Sequence, residues 1–273
     1  MKNFFYILFI SFSISCFGQA DTSFQLIKTI KGDIIDFTVD NLDNLYIVNS
    51  KNQLKKLDAG GDSVAVYNNV KQYGQLSYID VSNPLRPLIY YRDFATIVVL
   101  DRFLNVRNSI DLRKQNIFSV KAIAQSYDNK IWLYDEQENK LKKIDEDGKL
   151  LLETTDFRLL FDRVPSPQRI FDHDQYVYLY DSLLGVFVFD YFGALKNKIL
   201  ITGWQNFKTA GKYIFGSSAD TLHRYEISTF RVDEWKMPEP IYKSRSFNFT
   251  SSRLYALKDD RPDSHRIEIY SYR

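Results

Sequence analysis

The sequence predicts an all-β fold, a β-propeller of six four-stranded blades, from three observations. A pattern of short apolar strands recurs along the chain, most copies share an acidic turn, and the two chain ends supply complementary parts of one blade. Four short strands in every 40–45 residues or so, about the length of this repeat, is typical of a propeller blade. The composition agrees, because aromatic residues make up 16% of the chain and, with Val and Ile, favour strands.

The repeat is clearest in its second and third strands. The second strand is predicted at Leu45–Val48, Leu88–Tyr91, Ile131–Tyr134, Val177–Tyr180, Tyr213–Gly216 and Leu254–Leu257. The third strand follows in most copies and is closed by Asp58, Asp101, Asp145, Asp190 and Glu226. A β-sandwich would also give short alternating strands, but it would not require the same turn chemistry at the same phase. Because the fifth and sixth copies are degenerate, five and seven blades are the alternatives to six.

The chain ends indicate how the ring closes. The segment Phe24–Gly32 precedes the first complete unit and has no blade of its own. The last unit has strands at 247–249, 253–258 and 266–272 and lacks a fourth. We therefore predict that the N-terminal strand completes the last blade, which removes an exposed sheet edge and anchors both ends.

Two units carry a more specific motif. The first unit has the spacing Asp40-x-x-x-Asn44-Leu-Tyr-Ile-Val-Asn49-x-x-Asn52, continues to Asp58 and Gly61, and resembles an NHL repeat. The third unit, at 128–132 and 141–148, is similar. NHL propellers include protein-binding and RNA-binding modules, lyases and lactonase-like enzymes. The resemblance therefore implies the shape of the molecule rather than an activity.

The N-terminus has the features of an export signal. A basic start is followed by the apolar run Phe4–Ile14, which is shorter than the roughly 20 residues of a membrane-spanning helix. We predict cleavage after Gly18, which leaves residues 19–273 as one propeller domain in the periplasm or at the outer membrane of a bacterium. The alternative is lipidation of Cys16, but Ser13 stands where lipoprotein signals usually carry a large aliphatic residue. Cys16 is the only cysteine, so no disulfide within the chain is expected.

The sequence carries no catalytic signature. The net charge of +2, with basic and acidic residues interspersed, argues against nucleic-acid binding. Gly-x-Ser-x-Gly and the glycine-rich phosphate loops are absent. The three histidines, His173, His223 and His265, are predicted to lie off the innermost strands, so we expect no metal, no cofactor and no catalytic residues. We interpret Asp172-His173-Asp174 as a turn.

The longest predicted loop, residues 153–168, combines arginines with apolar side chains, which is a composition typical of interface hot spots. It lies on the face that bears the second-to-third and fourth-to-first strand loops. The predicted binding residues on this face are Arg158, Phe161, Arg163, Arg92 and Phe94. The competing interpretation is that Leu160 and Phe161 only pack the loop onto the ring.

The predicted function is a non-enzymatic scaffold that binds an envelope protein or other ligand. The alternative is a propeller hydrolase or lyase that acts on a small molecule or glycan at the channel mouth, with carboxylates and tyrosines as acid–base groups.

Overall fold

The computed structural model of the protein describes residues 23–261 and 264–272, which form six four-stranded antiparallel sheets. The predicted signal sequence and Cys16 lie outside the described residues. The sheets are the blades of a ring, and the innermost strand of the last blade contacts that of the first. The prediction of six blades is confirmed.

Five blades are built from consecutive strands, numbered from the innermost strand outward. The first contains β2 (Asp36–Val39), β3 (Leu45–Val48), β4 (Leu54–Leu57) and β5 (Ser63–Tyr67). The second contains β6 (Tyr78–Asp80), β7 (Leu88–Tyr91), β8 (Thr96–Leu100) and β9 (Val106–Asp111). The third contains β10 (Val120–Gln125), β11 (Ile131–Asp135), β12 (Lys140–Ile144) and β13 (Leu150–Glu153). The fourth contains β14 (Arg169–His173), β15 (Tyr176–Asp181), β16 (Gly185–Asp190) and β17 (Leu195–Ile199). The fifth contains β18 (Gln205–Ala210), β19 (Tyr213–Ser218), β20 (Thr221–Glu226) and β21 (Val232–Lys236).

The sixth blade joins the two ends of the chain. Its strands, from the innermost outward, are β22 (Ser246–Phe249), β23 (Arg253–Arg261), β24 (Ser264–Tyr272) and β1 (Phe24–Gly32). Strand β1 pairs antiparallel with β24, from Phe24 opposite Tyr272 to Gly32 opposite His265, with one shift in register between Leu26 and Lys28. The predicted closure of the last blade by the N-terminal strand is confirmed.

The acidic residue after the third strand forms one turn in four blades. A carboxylate oxygen accepts a hydrogen bond from the backbone N–H four residues later, at 2.9 Å in each case; these carboxylates belong to Asp58, Asp101, Asp145 and Asp190. The residue three positions after the Asp has a positive φ, which favours glycine, and these residues are Gly61, Leu104, Gly148 and Gly193. In the fifth blade the longer Glu226 pairs with Lys212 instead, and the turn is one residue longer. This difference explains why the fifth copy of the repeat looks degenerate.

The core lies between the blades. Six hydrophobic clusters are present among the residues that the structure describes, and each joins two neighbouring blades, so that every seam of the ring is filled. The second strand of a blade therefore buries both of its faces, as Leu88–Tyr91 does. This two-sided burial explains the continuous apolar runs of the repeat.

The loops leave the ring on two faces. We call the face with the second-to-third and fourth-to-first strand loops the upper face, and the opposite one the lower face. Short helices occupy four upper-face loops: α1 (Val70–Tyr73), a 3₁₀ turn (Leu112–Gln115), α2 (Phe157–Leu160) and α3 (Glu239–Tyr242). Within residues 23–261 and 264–272, no helix has the length and apolar character needed to cross a membrane.

Candidate functional site

The innermost strands enclose a cavity of about 540 Å³ along the axis of the ring. This volume lies within the range of about 300–1,000 Å³ of small-molecule sites. Residues from all six blades line it, and its polar or charged side chains include those of Asp36, Tyr78, Arg169, Asn206, Lys208 and Asn248. The cavity is therefore a candidate ligand site that the sequence did not indicate, because its wall is assembled from six distant segments.

The strand order places a guanidinium, a phenol and a carboxyl group at the upper end of this channel. Arg169 begins β14, and its guanidinium carbon lies 5.3 Å from the centre of the Tyr78 ring. Asp36 begins β2 and faces the channel. Desolvation raises the pKa of its carboxyl, and this effect outweighs the hydrogen bond from Phe37 N and the charge of Arg169, which lower the pKa. Burial also raises the pKa of Tyr78 to about 12, so its hydroxyl keeps its proton at neutral pH.

Lys208 lies in the middle of β18 and lines the same cavity. Its Nζ donates a hydrogen bond to Asn248 Oδ1 at 2.5 Å and another to the backbone carbonyl of Val39. Among the described residues no carboxylate forms an ion pair with it. Burial lowers the pKa of Lys208 to about 7, although the charges of Asp40 and Asp80 act in the opposite direction.

At the lower end of the channel, hydrogen bonds to Asp172 join the third and fourth blades. Asp172 accepts hydrogen bonds from Ser126 Oγ at 2.7 Å, from Trp132 Nε1 at 3.1 Å and from the hydroxyl of Tyr191. The Tyr191 ring stacks on that of the exposed Tyr127, with centroids 4.9 Å apart. With its oxygens engaged in this way, Asp172 serves to join the blades.

The histidines are placed differently from the prediction in two cases. His173 is the last residue of the innermost strand β14 and lines the channel, because that strand runs further than the predicted turn allowed. His265 lies in β24 rather than in a loop, since the last hairpin extends almost to its tip. His223 is in a third strand as predicted, where its ring nitrogens contact Ser218 and Glu234. No cluster of three or more His, Cys, Asp or Glu side chains in the described parts of the chain is arranged to hold a metal ion.

All five predicted binding residues lie on the upper face, with different surroundings. Phe161 is half-buried, with its ring 5.0 Å from that of Phe187 and 5.3 Å from that of the buried Phe157. Phe161 thus packs the loop onto the fourth blade. Arg158 and Arg163 are exposed, and Arg158 forms an ion pair with Asp156, the residue that caps helix α2.

Arg92 and Phe94 belong to the turn between β7 and β8 in the second blade, where both are exposed. The guanidinium carbon of Arg113 lies 6.0 Å from the centre of the Phe94 ring. Within the described ranges, no hydrogen bond, ion pair or ring contact links Arg92 or Phe94 to the 153–168 loop. Arg158, Phe161 and Arg163 thus share one loop, whereas Arg92 and Phe94 belong to a turn of another blade.

Four exposed leucines lie in the 153–168 loop and in the upper-face loops that flank the outer strands of the fourth blade, and of these the sequence analysis named only Leu160, as a residue that packs the loop onto the ring. Leu159, Leu160, Leu183 and Leu200 are between 46% and 80% exposed, and we call them the upper leucine patch. The sequence could have indicated this exposure only at Leu183, which lies in a predicted turn, because an apolar side chain in a turn is not buried between blades as one in a strand is. Such groups of exposed apolar side chains often mark interaction sites.

The loop that carries Leu159 and Leu160 is tied by hydrogen bonds to two neighbouring parts of the ring. Ser166 N donates to Asp181 Oδ2 at 2.8 Å, and Ser182 N donates to Gln168 Oε1 at 2.9 Å, so the loop is tied to the turn that contains Leu183. The buried Tyr134 hydroxyl donates to the Pro165 carbonyl at 2.9 Å. Leu159, Leu160 and Leu183 therefore stand on segments that are hydrogen-bonded in place, and such preorganisation lowers the entropic cost of binding.

Comparison with known proteins supports the fold. Comparison with family models gave no match, and comparison with curated protein sequences gave none. Among solved structures, the chain is similar to a streptogramin B lyase, with a TM-score of 0.59 and 11% identity over 92% of this chain and 88% of that one. It is similar to PorZ of Porphyromonas gingivalis, described as an essential bacterial surface component of the type-IX secretion system, with a TM-score of 0.54 and 12% identity over 82% of this chain and 29% of that one. The WD40 domain of Neurospora crassa Pan2 is also similar, with a TM-score of 0.57 and 9% identity over 91% and 95% of the two chains. At these identities the likeness shows the six-bladed propeller fold alone.

Proposed function

We propose that this protein is a non-enzymatic interaction propeller of a bacterial envelope, which binds a protein partner through its upper face. The observation that carries the proposal is the upper leucine patch, in which four large apolar side chains are exposed, two of them in the loop that also carries Arg158 and Arg163 and a third in a turn hydrogen-bonded to that loop. Exposed leucines beside arginines provide apolar contact area together with charge-assisted hydrogen bonding.

The two arginines have different roles in this proposal. Arg158 is already paired with Asp156, so its charge is partly compensated before a partner arrives. Arg163 is exposed on the same loop and can pair with a carboxylate of the partner. The partner surface that fits is therefore apolar with at least one acidic residue. Phe161 packs the loop onto the fourth blade, so we expect it to stabilise the loop rather than to contact the partner.

The test is affinity capture of partners from envelope extracts with wild-type protein and charge-introducing variants. Leu159→Glu and Leu183→Glu should each weaken capture by about tenfold or more, because a hot-spot change often costs about 2 kcal/mol or more. The matched control is Phe230→Glu, an equally exposed apolar residue in a lower-face turn. Equal capture by all three variants, at unchanged melting temperature, would place the interaction elsewhere.

We also propose that the protein acts outside the cytoplasm, which rests on the apolar N-terminal run and its basic start. Intact-mass measurement of the protein from an envelope fraction should give a chain that starts near Gln19. A lipid-modified start at Cys16 would establish the lipoprotein alternative. A full-length, uncleaved chain in the cytoplasm would contradict both.

A second candidate function is chemistry on a small molecule or glycan in the channel. The observation that favours it is the 540 Å³ cavity, in which Asp36, Tyr78 and Arg169 stand at one end. NHL-type propellers include lyases, and the first and third units resemble that repeat type. Thermal-shift screening with small acidic and carbonyl compounds tests this candidate. A compound that stabilises the wild type but not Arg169→Ala would support it, and no stabilising compound would count against it.

A further inference from the structure

Lys208 is placed to reach across three blades. It belongs to β18 of the fifth blade, but the acceptors of its Nζ are Asn248 in the sixth blade and the carbonyl of Val39 in the first. The side chain therefore lies along the channel wall and is half-buried there. An extended lysine that ends inside a cavity of ligand size presents its amine to whatever occupies that cavity.

The acceptors of Nζ among the described residues are enough for the N–H groups of a neutral amine. A neutral amine has two N–H groups and one lone pair, and the two described acceptors satisfy both N–H groups. An ammonium ion would carry a third proton for which the described residues show no acceptor. A partly buried ammonium without an ion pair is unfavourable, because desolvation of the charge is not repaid.

The charged groups around the Lys208 amine do not reverse its preference for the neutral form. The charged or titratable groups of the channel wall are Asp36, Asp40, Tyr78, Asp80, Arg169, Asp172 and His173, and Asp43 acts from the first-blade turn. Asp40 and Asp172 each accept several hydrogen bonds from other groups, and Asp80 accepts two from backbone N–H groups. Burial outweighs the attraction of Asp40, Asp80 and Asp43 and lowers the pKa of Lys208 to about 7. A substantial fraction of the amine is thus unprotonated at neutral pH.

We propose that Lys208 is a nucleophilic amine that binds an aldehyde or ketone ligand covalently, as an imine, inside the channel. The lone pair of Nζ attacks the carbonyl carbon, a C–N bond forms, and the carbonyl oxygen takes up a proton as the amine loses one, giving a carbinolamine. Loss of water then gives the C=N bond, so amine and carbonyl yield imine and water with no change of oxidation state. Neutral lysines are the form used for such chemistry. The inference is independent of the upper leucine patch, which lies on the outer surface.

The test traps the imine on purified protein. Propionaldehyde is the probe, sodium cyanoborohydride reduces the imine to a stable alkyl amine, and peptide mapping by mass spectrometry measures the rate at each lysine. The exposed Lys114 is the internal reference. At pH 7 an ordinary lysine is neutral in less than about one part in a thousand, whereas a pKa near 7 leaves about half of the amine neutral. Even with reduced access and basicity, Lys208 should be labelled at least about tenfold faster than Lys114.

Two variants keep the result interpretable. Asn248→Asp has nearly the same shape and places a carboxylate beside Nζ, so labelling of Lys208 at pH 7 should fall to the level of Lys114 and recover at higher pH. Lys208→Met should abolish the fast-labelled peptide, with circular dichroism to confirm folding. Labelling of wild-type Lys208 no faster than Lys114, or fast labelling that Asn248→Asp does not slow, would overturn the proposal.

Discussion

The carboxylate of Asp172 accepts a hydrogen bond from the indole nitrogen of Trp132 at 3.1 Å, which joins the innermost strand of the fourth blade to the second strand of the third. The Trp132 ring is fully buried, and Lys143 Nζ lies 5.0 Å from its centre. Lys143 in turn pairs with Asp128 at 2.9 Å. Asp172 thus anchors the indole against which the Lys143–Asp128 pair lies at the lower end of this seam.

Asp172→Ala should destabilise the protein by about 2–3 kcal/mol, because it leaves the buried indole N–H of Trp132 and the hydroxyl of Tyr191 without their acceptor. Urea denaturation followed by tryptophan fluorescence measures the change. Asp147→Ala, an exposed carboxylate in a turn on the same face, should stay within about 0.5 kcal/mol of wild type. A similar small effect for both variants would show that the hydrogen bonds to Asp172 do not contribute to stability.

The blade architecture could be predicted because its signals are local. The turn at Asp101 is visible in the sequence as an acidic residue that ends an apolar strand, and the structure shows its carboxylate bound to Asn105 N. The role of Phe24–Gly32 followed from the missing fourth strand of the last unit. Both inferences needed only the repeat and its period.

The candidate sites could not be predicted because they depend on contacts between distant blades. Lys208 and Val39 are 169 residues apart, and no sequence pattern marks one as the partner of the other. For Phe161 the sequence left two interpretations, and the packing of its ring on Phe187 supports the structural one. The exposure of Leu159 depends on how helix α2 sits on the fourth blade, which its neighbours in the sequence do not determine.

The stability of the protein should fall at acid pH through Glu268. Burial by itself would raise the pKa of this carboxyl, but hydrogen bonds from Lys258, Tyr270 and Arg266 outweigh it and lower the pKa to about 2, against 4.5 in an unfolded chain. A lowered folded-state pKa contributes stability above about pH 4.5 that is lost as the pH falls toward 2, by about 3 kcal/mol in total. Unfolding free energies at pH 7, 4 and 3 test this. The difference between wild type and Glu268→Gln should shrink as the pH falls, and a constant difference would contradict the assignment.

The buried pair of Lys142 and Asp135 should be strongly coupled. Their side chains are almost fully buried, with Nζ 2.8 Å from Oδ2, and Glu138 contacts the same ammonium at 2.8 Å. Lys142→Met should cost about 3–5 kcal/mol because it leaves the Asp135 charge uncompensated. In a double-mutant cycle with Asp135→Asn, the double variant should lose at least about 1 kcal/mol less than the sum of the single losses.

The control for this pair lies two residues away on the same strand. Lys140 is more exposed and pairs with Glu153 near the surface, so Lys140→Met should cost less than about 1 kcal/mol. Additive losses in the Lys142 cycle, or equal losses for the two lysine variants, would show that burial does not strengthen the Lys142–Asp135 pair.

Deletion of residues 24–31, which is all of strand β1 except Gly32, should destabilise the whole ring. The deletion leaves the hydrogen-bonding edge of β24 unpaired and takes Phe24 away from Tyr272, whose rings lie 6.2 Å apart in the seam between the fifth and sixth blades. The expected loss is several kcal/mol, a large fraction of a typical stability of about 5–15 kcal/mol. Two point variants separate side-chain packing from strand pairing. Phe24→Ala should cost about 3 kcal/mol through the cavity it leaves, whereas Leu26→Ser, on the exposed side of the same strand, should change stability by less than about 0.5 kcal/mol. A deletion variant that melts within one or two degrees of the parent protein would show that the ring is held by its seams alone and that β1 does not fasten it.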